Sequence, residues 1–287
     1  MDIREPKYTA LTSAKGRRRG SKKQPLAQRA DRHALYERSV QAVDVDFEFV
    51  DRIFRKRRGR TAHVLREDFC GTAKMCCEWV RRRRKNHAIG VDLDADVLRW
   101  GRENNVARLE ASAAERVTLI QDDVLAVHTT PPDVVLAFNF SYQLFKERKT
   151  LRHYFERVRQ ALADDGIFFL DAYGGYDAYR ETREKRKYKG FTYIWDQAHY
   201  DPITGLMRCH IHFKFPDGSR LKRAFSYEWR LWTLPELRDL LDEAGFANIT
   251  VYWEGTDEET GEGNGIYKPA ESGTADAGWI CYLTAEK

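Results

Sequence analysis

The stretch Thr61-Ala-His-Val-Leu-Arg-Glu67-Asp-Phe-Cys-Gly71-Thr-Ala73 decides the fold. It opens as a short apolar strand, closes on an acid, and turns through small residues into a helix. Past that helix comes Ala88-Ile-Gly-Val-Asp92, a second apolar strand ending in an acid. A third unit of the same kind is Val117-Thr-Leu-Ile-Gln-Asp-Asp-Val124. Strand–helix units in succession build an open parallel sheet. Three strand-end acids in register line its carboxyl edge, where such sheets take nucleoside ligands.

Periodicity extends the pattern outward. Helices are predicted over 31–41 and 46–58, the second with Phe47, Val50, Ile53 and Phe54 on one face and Gly59 as its stop. A strand at 62–66 leads to a helix at 72–85, and a strand at 88–92 to a helix at 95–107. Strands at 117–121 and 134–139 follow, then a helix at 147–163 burying Leu151, Tyr154, Phe155, Val158 and Leu162, then a strand at 167–172. This alternation predicts a Rossmann-like α/β fold, a mostly parallel sheet with helices on both faces.

After 172 the pattern changes. Three strand-like runs over 190–232 are broken by Asp201-Pro-Ile-Thr-Gly205 and by Asp217-Gly218, a hairpin signal. They read as an antiparallel insertion, 178–232, standing over the carboxyl edge. Thr233-Leu-Pro-Glu236 is a capping box opening a helix that ends at Gly245, and strands at 249–253 and 279–285 close the chain. The acidic, glycine-rich segment 256–278 lacks periodicity and reads as a surface loop, with a mobile lid as the alternative.

Composition bounds the function. Of 287 residues, 42% are apolar and 32% charged, with mean hydropathy −0.66, which suits a globular enzyme and no membrane insertion. No stretch reaches the ~18–20 apolar residues of a transmembrane helix, and the first residues hold no apolar signal core. Five cysteines without CxxC spacing read as thiols, so a cytoplasmic location is expected. The net charge of +5 belongs to the tail: residues 1–30 carry nine Lys or Arg against two acids, and the remainder is slightly acidic. That tail is expected to be disordered, and 31–287 to be one domain. A solvated extension is its first reading and a nucleic-acid contact its second. The runs Arg55–Arg58 and Arg81–Lys85 each end a helix before a strand, at the amino edge, where cations complement helix C-termini.

The loop chemistry separates cofactors. A pyrophosphate needs glycines and no neighbouring carboxylate, yet Glu67 places a negative charge there and only Gly71 remains of the glycine pattern. With its spacing of strand-end acids, the region 60–287 resembles the class I S-adenosylmethionine (SAM)-dependent methyltransferases. Phe69 and Ala73 stand where that family's pattern has its outer glycines. The resemblance implies a seven-stranded sheet, SAM as cofactor and S-adenosylhomocysteine (SAH) as product. It places Glu67, Phe69, Cys70 and Gly71 at the methionyl end, Asp92 on the ribose hydroxyls and Leu93 against the adenine. Asp122 or Asp123 would take the adenine amino group, Val124 would offer a backbone amide, and Asn139 would face the sulfonium. Tyr36, on the N-terminal helix, would close the site or simply pack.

For catalysis, Tyr142 follows the fourth strand and His210 lies in the insertion. If Asp217-Gly218 is a two-residue turn, His210 opposes Phe225, His212 opposes Arg223 and Arg208 opposes Tyr227, all on one face. His210 could then orient or deprotonate an acceptor, and Arg208 or Arg223 could hold an anionic one. No third ligand joins His210 and His212, so no metal is expected. The insertion and the Leu234-to-Phe246 segment look like small-molecule methyltransferases, such as glycine/sarcosine or amino-sugar N-methyltransferases. The expected activity is methyl transfer to N or O of a small molecule. An RNA methyltransferase using the tail and a non-catalytic SAM-binding module stand as alternatives, and the oligomeric state is left open.

Overall fold

In a computed structural model, residues 24–261 and 263–287 are described. The N-terminal helices are α1 (Leu26–Arg29), α2 (Arg32–Ser39) and α3 (Val43–Arg58). The strand–helix units are β1 (Val64–Asp68), α4 (Lys74–Arg82), β2 (His87–Asp92), α5 (Ala95–Asn104), α6 (Ala111–Ala114), β3 (Val117–Gln121), β4 (Val134–Ala137), α7 (Arg148–Ala161) and β5 (Ile167–Gly174). The insertion holds β6 (Thr182–Tyr188), β7 (Phe191–Tyr200), β8 (Leu206–Lys214) and β9 (Arg220–Arg230). The chain closes with α8 (Leu234–Glu243), β10 (Ala247–Thr256), β11 (Gly263–Pro269) and β12 (Trp279–Glu286).

The strands form an eight-stranded sheet, ordered β3-β2-β1-β4-β5-β12-β10-β11, and a four-stranded sheet, β6-β7-β8-β9. Pairings among β1 to β5 are parallel, whereas β12 runs antiparallel to both its neighbours. An eighth strand joins the expected seven because part of the 256–278 segment is not loop: β11 pairs along the edge strand β10.

Local sequence explains the helices. Asp44 and Asp46 sit in the first turn of α3 and Arg55–Arg58 in its last, complementing the helix dipole. Gly59 ends it in the left-handed region, φ 66°, donating to Arg55 O. At α8, Thr233 and Glu236 form the expected reciprocal cap. Core side chains fill both faces of the large sheet, Trp79, Phe54 and Ile53 on one and Tyr154, Phe155 and Leu240 on the other. Each fully buried aliphatic or Phe side chain contributes about 1.5–3 kcal/mol. The basic runs are tied into ion pairs, Arg58 to Glu286 at 2.7 Å and Arg83 to Asp51 at 2.7 Å.

Two expectations need correction. Residues 24–30 do not belong to a disordered tail: Leu26 N–H donates to Asp217 Oδ2 (2.8 Å) and Ala27 N–H to Ser219 Oγ (3.0 Å), pinning α1 to the β8–β9 turn. The basic stretch 1–23 lies outside the described residues.

The second correction concerns the hairpin. Phe215 and Ser219 close a three-residue loop with Gly218 left-handed (φ 82°), and Arg223 makes a bulge at φ 49°. His210 therefore opposes Ser226, Arg208 opposes Glu228 and Cys209 opposes Tyr227. A one-residue slip sends histidines and aromatics to opposite faces. His210 turns away from the large sheet, its Nδ1 2.8 Å from Ser226 Oγ, so it is not a catalytic group. Arg208 shares that outer face and cannot hold an acceptor over the carboxyl edge, and Arg223 sits in the bulge as an exposed residue.

Candidate active site

Glu67 lies within β1, one residue before its end, and its side chain is buried. Cys76 Sγ–H donates to Glu67 Oε2 at 3.0 Å. Burial pushes the carboxyl up to about 8, with the charges of Asp46 and Asp92 adding to the rise. The next residue points to the opposite face. There Asp68 receives Arg66 Nε at 2.7 Å and the Tyr154 hydroxyl at 2.9 Å.

The following loop adopts left-handed backbone at each position of the family's glycine pattern: Phe69 φ 59°, Gly71 φ 52° and Ala73 φ 57°. Holding a non-glycine residue there costs about 1–2 kcal/mol. Phe69 offsets it by packing on Phe145 and Tyr154, with centroids 6.0 and 5.6 Å away. Cys70 is buried and donates through its N–H to Val91 O at 3.0 Å. Gly71 N–H donates to Asp92 Oδ2 at 2.8 Å, and Asp94 N–H to Asp92 Oδ1 at 3.0 Å. Burial raises the Asp92 carboxyl above its usual range. Leu93 stands beside it, 67% exposed.

Helix α5 fits against this loop only because of Gly101, where an added Cβ would lie 2.6 Å from the Thr72 carbonyl oxygen. Gly101→Ala should therefore lower the thermal midpoint despite alanine's better helix propensity, overpacking costing about 1–3 kcal/mol. Thermal unfolding checks this, and an unchanged or raised midpoint would contradict it.

At β3, Asp123 Oδ1 accepts from Leu125 N–H (2.9 Å) and Asp122 Oδ1 from Asp123 N–H (2.8 Å). Both follow the end of β3, whose Gln121 pairs with Asp92, and Val124 turns its side chain into the core.

After β4 two successive residues, Asn139 and Phe140, are left-handed at φ 58° each. Their N–H groups donate to the two carboxylate oxygens of Asp171, at 2.8 and 2.9 Å. Tyr142 is fully buried and its hydroxyl donates to Asp171 O at 2.8 Å. That makes it a brace for the bend and corrects its expected catalytic role.

Sequence reasoning missed two acids. Asp171, on β5, is pushed up to about 7 by burial, and Asp46, on α3, to about 6 by burial. Tyr282 donates to Asp46 Oδ1 at 3.0 Å. An acid inside the apolar run Ile167-Phe-Phe-Leu-Asp171-Ala-Tyr173 was the available signal, since a buried carboxylate needs partners. Electrostatic repulsion links Asp46 to both Glu67 and Asp171, and Glu67 to Asp92. Helix α2 brings Tyr36 to the same place: it hydrogen-bonds Tyr227, feels the Asp171 charge and is pushed up to about 12, mainly by burial.

These acids gather at the carboxyl edge of a sheet whose architecture recurs in solved structures. An S-adenosylmethionine-dependent methyltransferase from Clostridium acetobutylicum superimposes with TM-score 0.64 over 88% of this chain and 96% of its own, at 15% identity. The chain shares its fold. CalS10, an amino pentose methyltransferase from Micromonospora echinaspora bound to SAM, gives 0.62 over 88% and 95% at 16% identity. The sugar N-methyltransferase KedS8 from Streptoalloteichus sp. gives 0.59 over 99% of both chains at 16% identity. No protein-family model and no curated protein sequence matches the chain.

Proposed function

We propose that this protein is a SAM-dependent methyltransferase acting on nitrogen or oxygen of a small molecule, with SAH as product. The observation that carries the reading is the set of carboxylates at the carboxyl edge, buried Glu67 and Asp171 and half-buried Asp92, none paired with a cationic side chain among the described residues. SAM suits them, since its methionyl ammonium and sulfonium are cations and it carries no phosphate. Glu67 and Gly71 would hold the methionyl end, Asp92 the ribose hydroxyls, with Leu93 and Asp123 or Asp122 about the adenine. Tyr36 would close the site from α2.

When bound, SAM supplies an electrophilic methyl group. This chain's residues do the positioning, which is most of what methyl transfer demands. Asp171 fixes the Asn139–Phe140 bend through its two N–H bonds, and Tyr142 fixes Asp171. The activities of these neighbours, on an amino pentose and a sugar nitrogen, support a small acceptor. Among the described residues no helix is long and apolar enough to cross a membrane, and five unpaired buried cysteines suit a reducing cytoplasm.

Calorimetry tests the reading through its protons. Glu67 at about 8, Asp171 at about 7 and Asp46 at about 6 are partly protonated near neutrality. A cationic ligand favours their ionised forms and draws these values down. Binding of SAM should therefore release protons, and affinity should rise across the pH 6–8 span of these groups. The gain is about tenfold for each unit by which a carboxyl shifts. Titrations in two buffers of different ionisation heat read the release. Binding of NAD without SAM, or proton uptake on SAM binding, would sink the proposal.

A further inference from the structure

The inner face of the small sheet gives the acceptor's chemistry, an inference that rests on the methyltransferase reading. Along β7, β8 and β9, Trp195 opposes Ile211, which opposes Phe225. Gln197 opposes Cys209, which opposes Tyr227, and Met207 opposes Trp229. The Tyr227 ring lies 4.4 Å from Trp229 and 6.2 Å from Trp195. Tyr36 closes one side, 5.0 Å from Phe225 and hydrogen-bonded to Tyr227. On the other side Phe140 lies 4.7 Å from Tyr173, whose hydroxyl donates to Met207 Sδ at 3.0 Å. Tyr36, Phe140, Tyr173, Trp195 and Tyr227 all remain half-buried, so each keeps surface to offer.

The charges are sorted between faces. Arg183, His210, His212 and Arg208 stand on the outer face, where Asp196 and Glu228 pair three of them and Ser226 holds His210. Of the cations beside the aromatic wall, Arg32 lies over the Phe225 ring at 5.4 Å and Arg186 opposes Tyr193 on the edge strand, both exposed. Facing the wall from the large sheet is the Asp171 carboxylate, bonded by neutral N–H groups alone and close enough to act on Tyr36. Aromatic faces beside a carboxylate attract ammonium. A phosphate would need a guanidinium fork or lysines inside the wall, whereas Arg32 and Arg186 lie exposed at its margin.

We infer that the acceptor is an amine that enters as its ammonium ion among Tyr36, Tyr227, Trp195, Phe140 and Tyr173, on an apolar skeleton without phosphate. The ammonium gives one proton to solvent. The freed nitrogen lone pair forms the N–C bond while the C–S bond breaks, its electron pair staying on sulfur. Products are a methylammonium and SAH.

The test uses full-length protein, with SAH binding measured first by calorimetry, then benzyltrimethylammonium or benzyl phosphate titrated into the SAH-loaded protein. The cation should bind saturably and the phosphate should not. Trp195→Leu and Tyr227→Leu should each weaken the cation about tenfold, while Arg208→Ala on the outer face leaves it unchanged. Equal or tighter binding of benzyl phosphate, or full cation affinity in both aromatic variants, overturns the inference. If SAH gives no heat yet the cation still binds in this pattern, the cofactor reading fails and the amine site stands. If SAH binds and the cation does not, the amine site alone falls.

Discussion

Asp92→Ala should cost at least a hundredfold in SAM affinity, the largest effect expected of any single change at the proposed site. Its carboxylate has two duties. Oδ2 receives Gly71 N–H and Oδ1 receives Asp94 N–H, so this one group fixes both the loop after β1 and the start of α5. Under the proposed assignment it would also accept the ribose hydroxyls. Each hydrogen bond to a charged group is worth about 1.5–3 kcal/mol, so losing two weakens binding by about 10²–10⁴-fold. Asp92→Asn keeps one acceptor oxygen for Gly71 and should fall between the two. Calorimetry with SAH measures all three proteins, and circular dichroism checks that the alanine variant is folded. A folded Asp92→Ala protein binding SAH within threefold of the native chain would refute the assignment.

Asp68→Ala should be the most damaging change to stability. Arg66 and Asp68 are each 1% exposed, joined at 2.7 and 3.0 Å, with Tyr154 donating to the same carboxylate at 2.9 Å. Removing the acid strands a buried guanidinium, which costs about 3–5 kcal/mol. For a domain of this size that lowers the thermal midpoint by roughly 10 °C. Replacing both members, Arg66→Met with Asp68→Leu, should recover most of the loss, since a buried pair often does no better than apolar residues of similar volume. Denaturant unfolding of the single and double variants reads the difference. An Asp68→Ala midpoint equal to the native one would show that the pair contributes nothing.

The two residues also mark where sequence reading reached its limit. The strand–helix alternation, the Gly59 stop and the Thr233–Glu236 cap were legible because each depends on neighbours a few positions away. Strand β1 was placed at 62–66 rather than Val64–Asp68 because Glu67 and Asp68 look like loop residues. Only their distant partners, Cys76 for one and Tyr154 with Arg66 for the other, permit them inside a strand. Asp171 escaped notice for the same reason, its partners lying in the bend after β4. The His210 face was misjudged because a three-residue turn and the Arg223 bulge reset the register, and neither follows from Asp217-Gly218 alone. Strand β11 has no apolar alternation of its own and forms by adding to the edge of β10.

The loop at Phe69, Gly71 and Ala73 keeps the handedness that glycines ordinarily permit while spelling it with two other residues, one of them anchored by its ring on Phe145 and Tyr154. A search rule written in residue letters passes over such a chain. One written in torsion angles would recognise the turn, and further proteins with the same disguised loop should surface by shape before they surface by spelling.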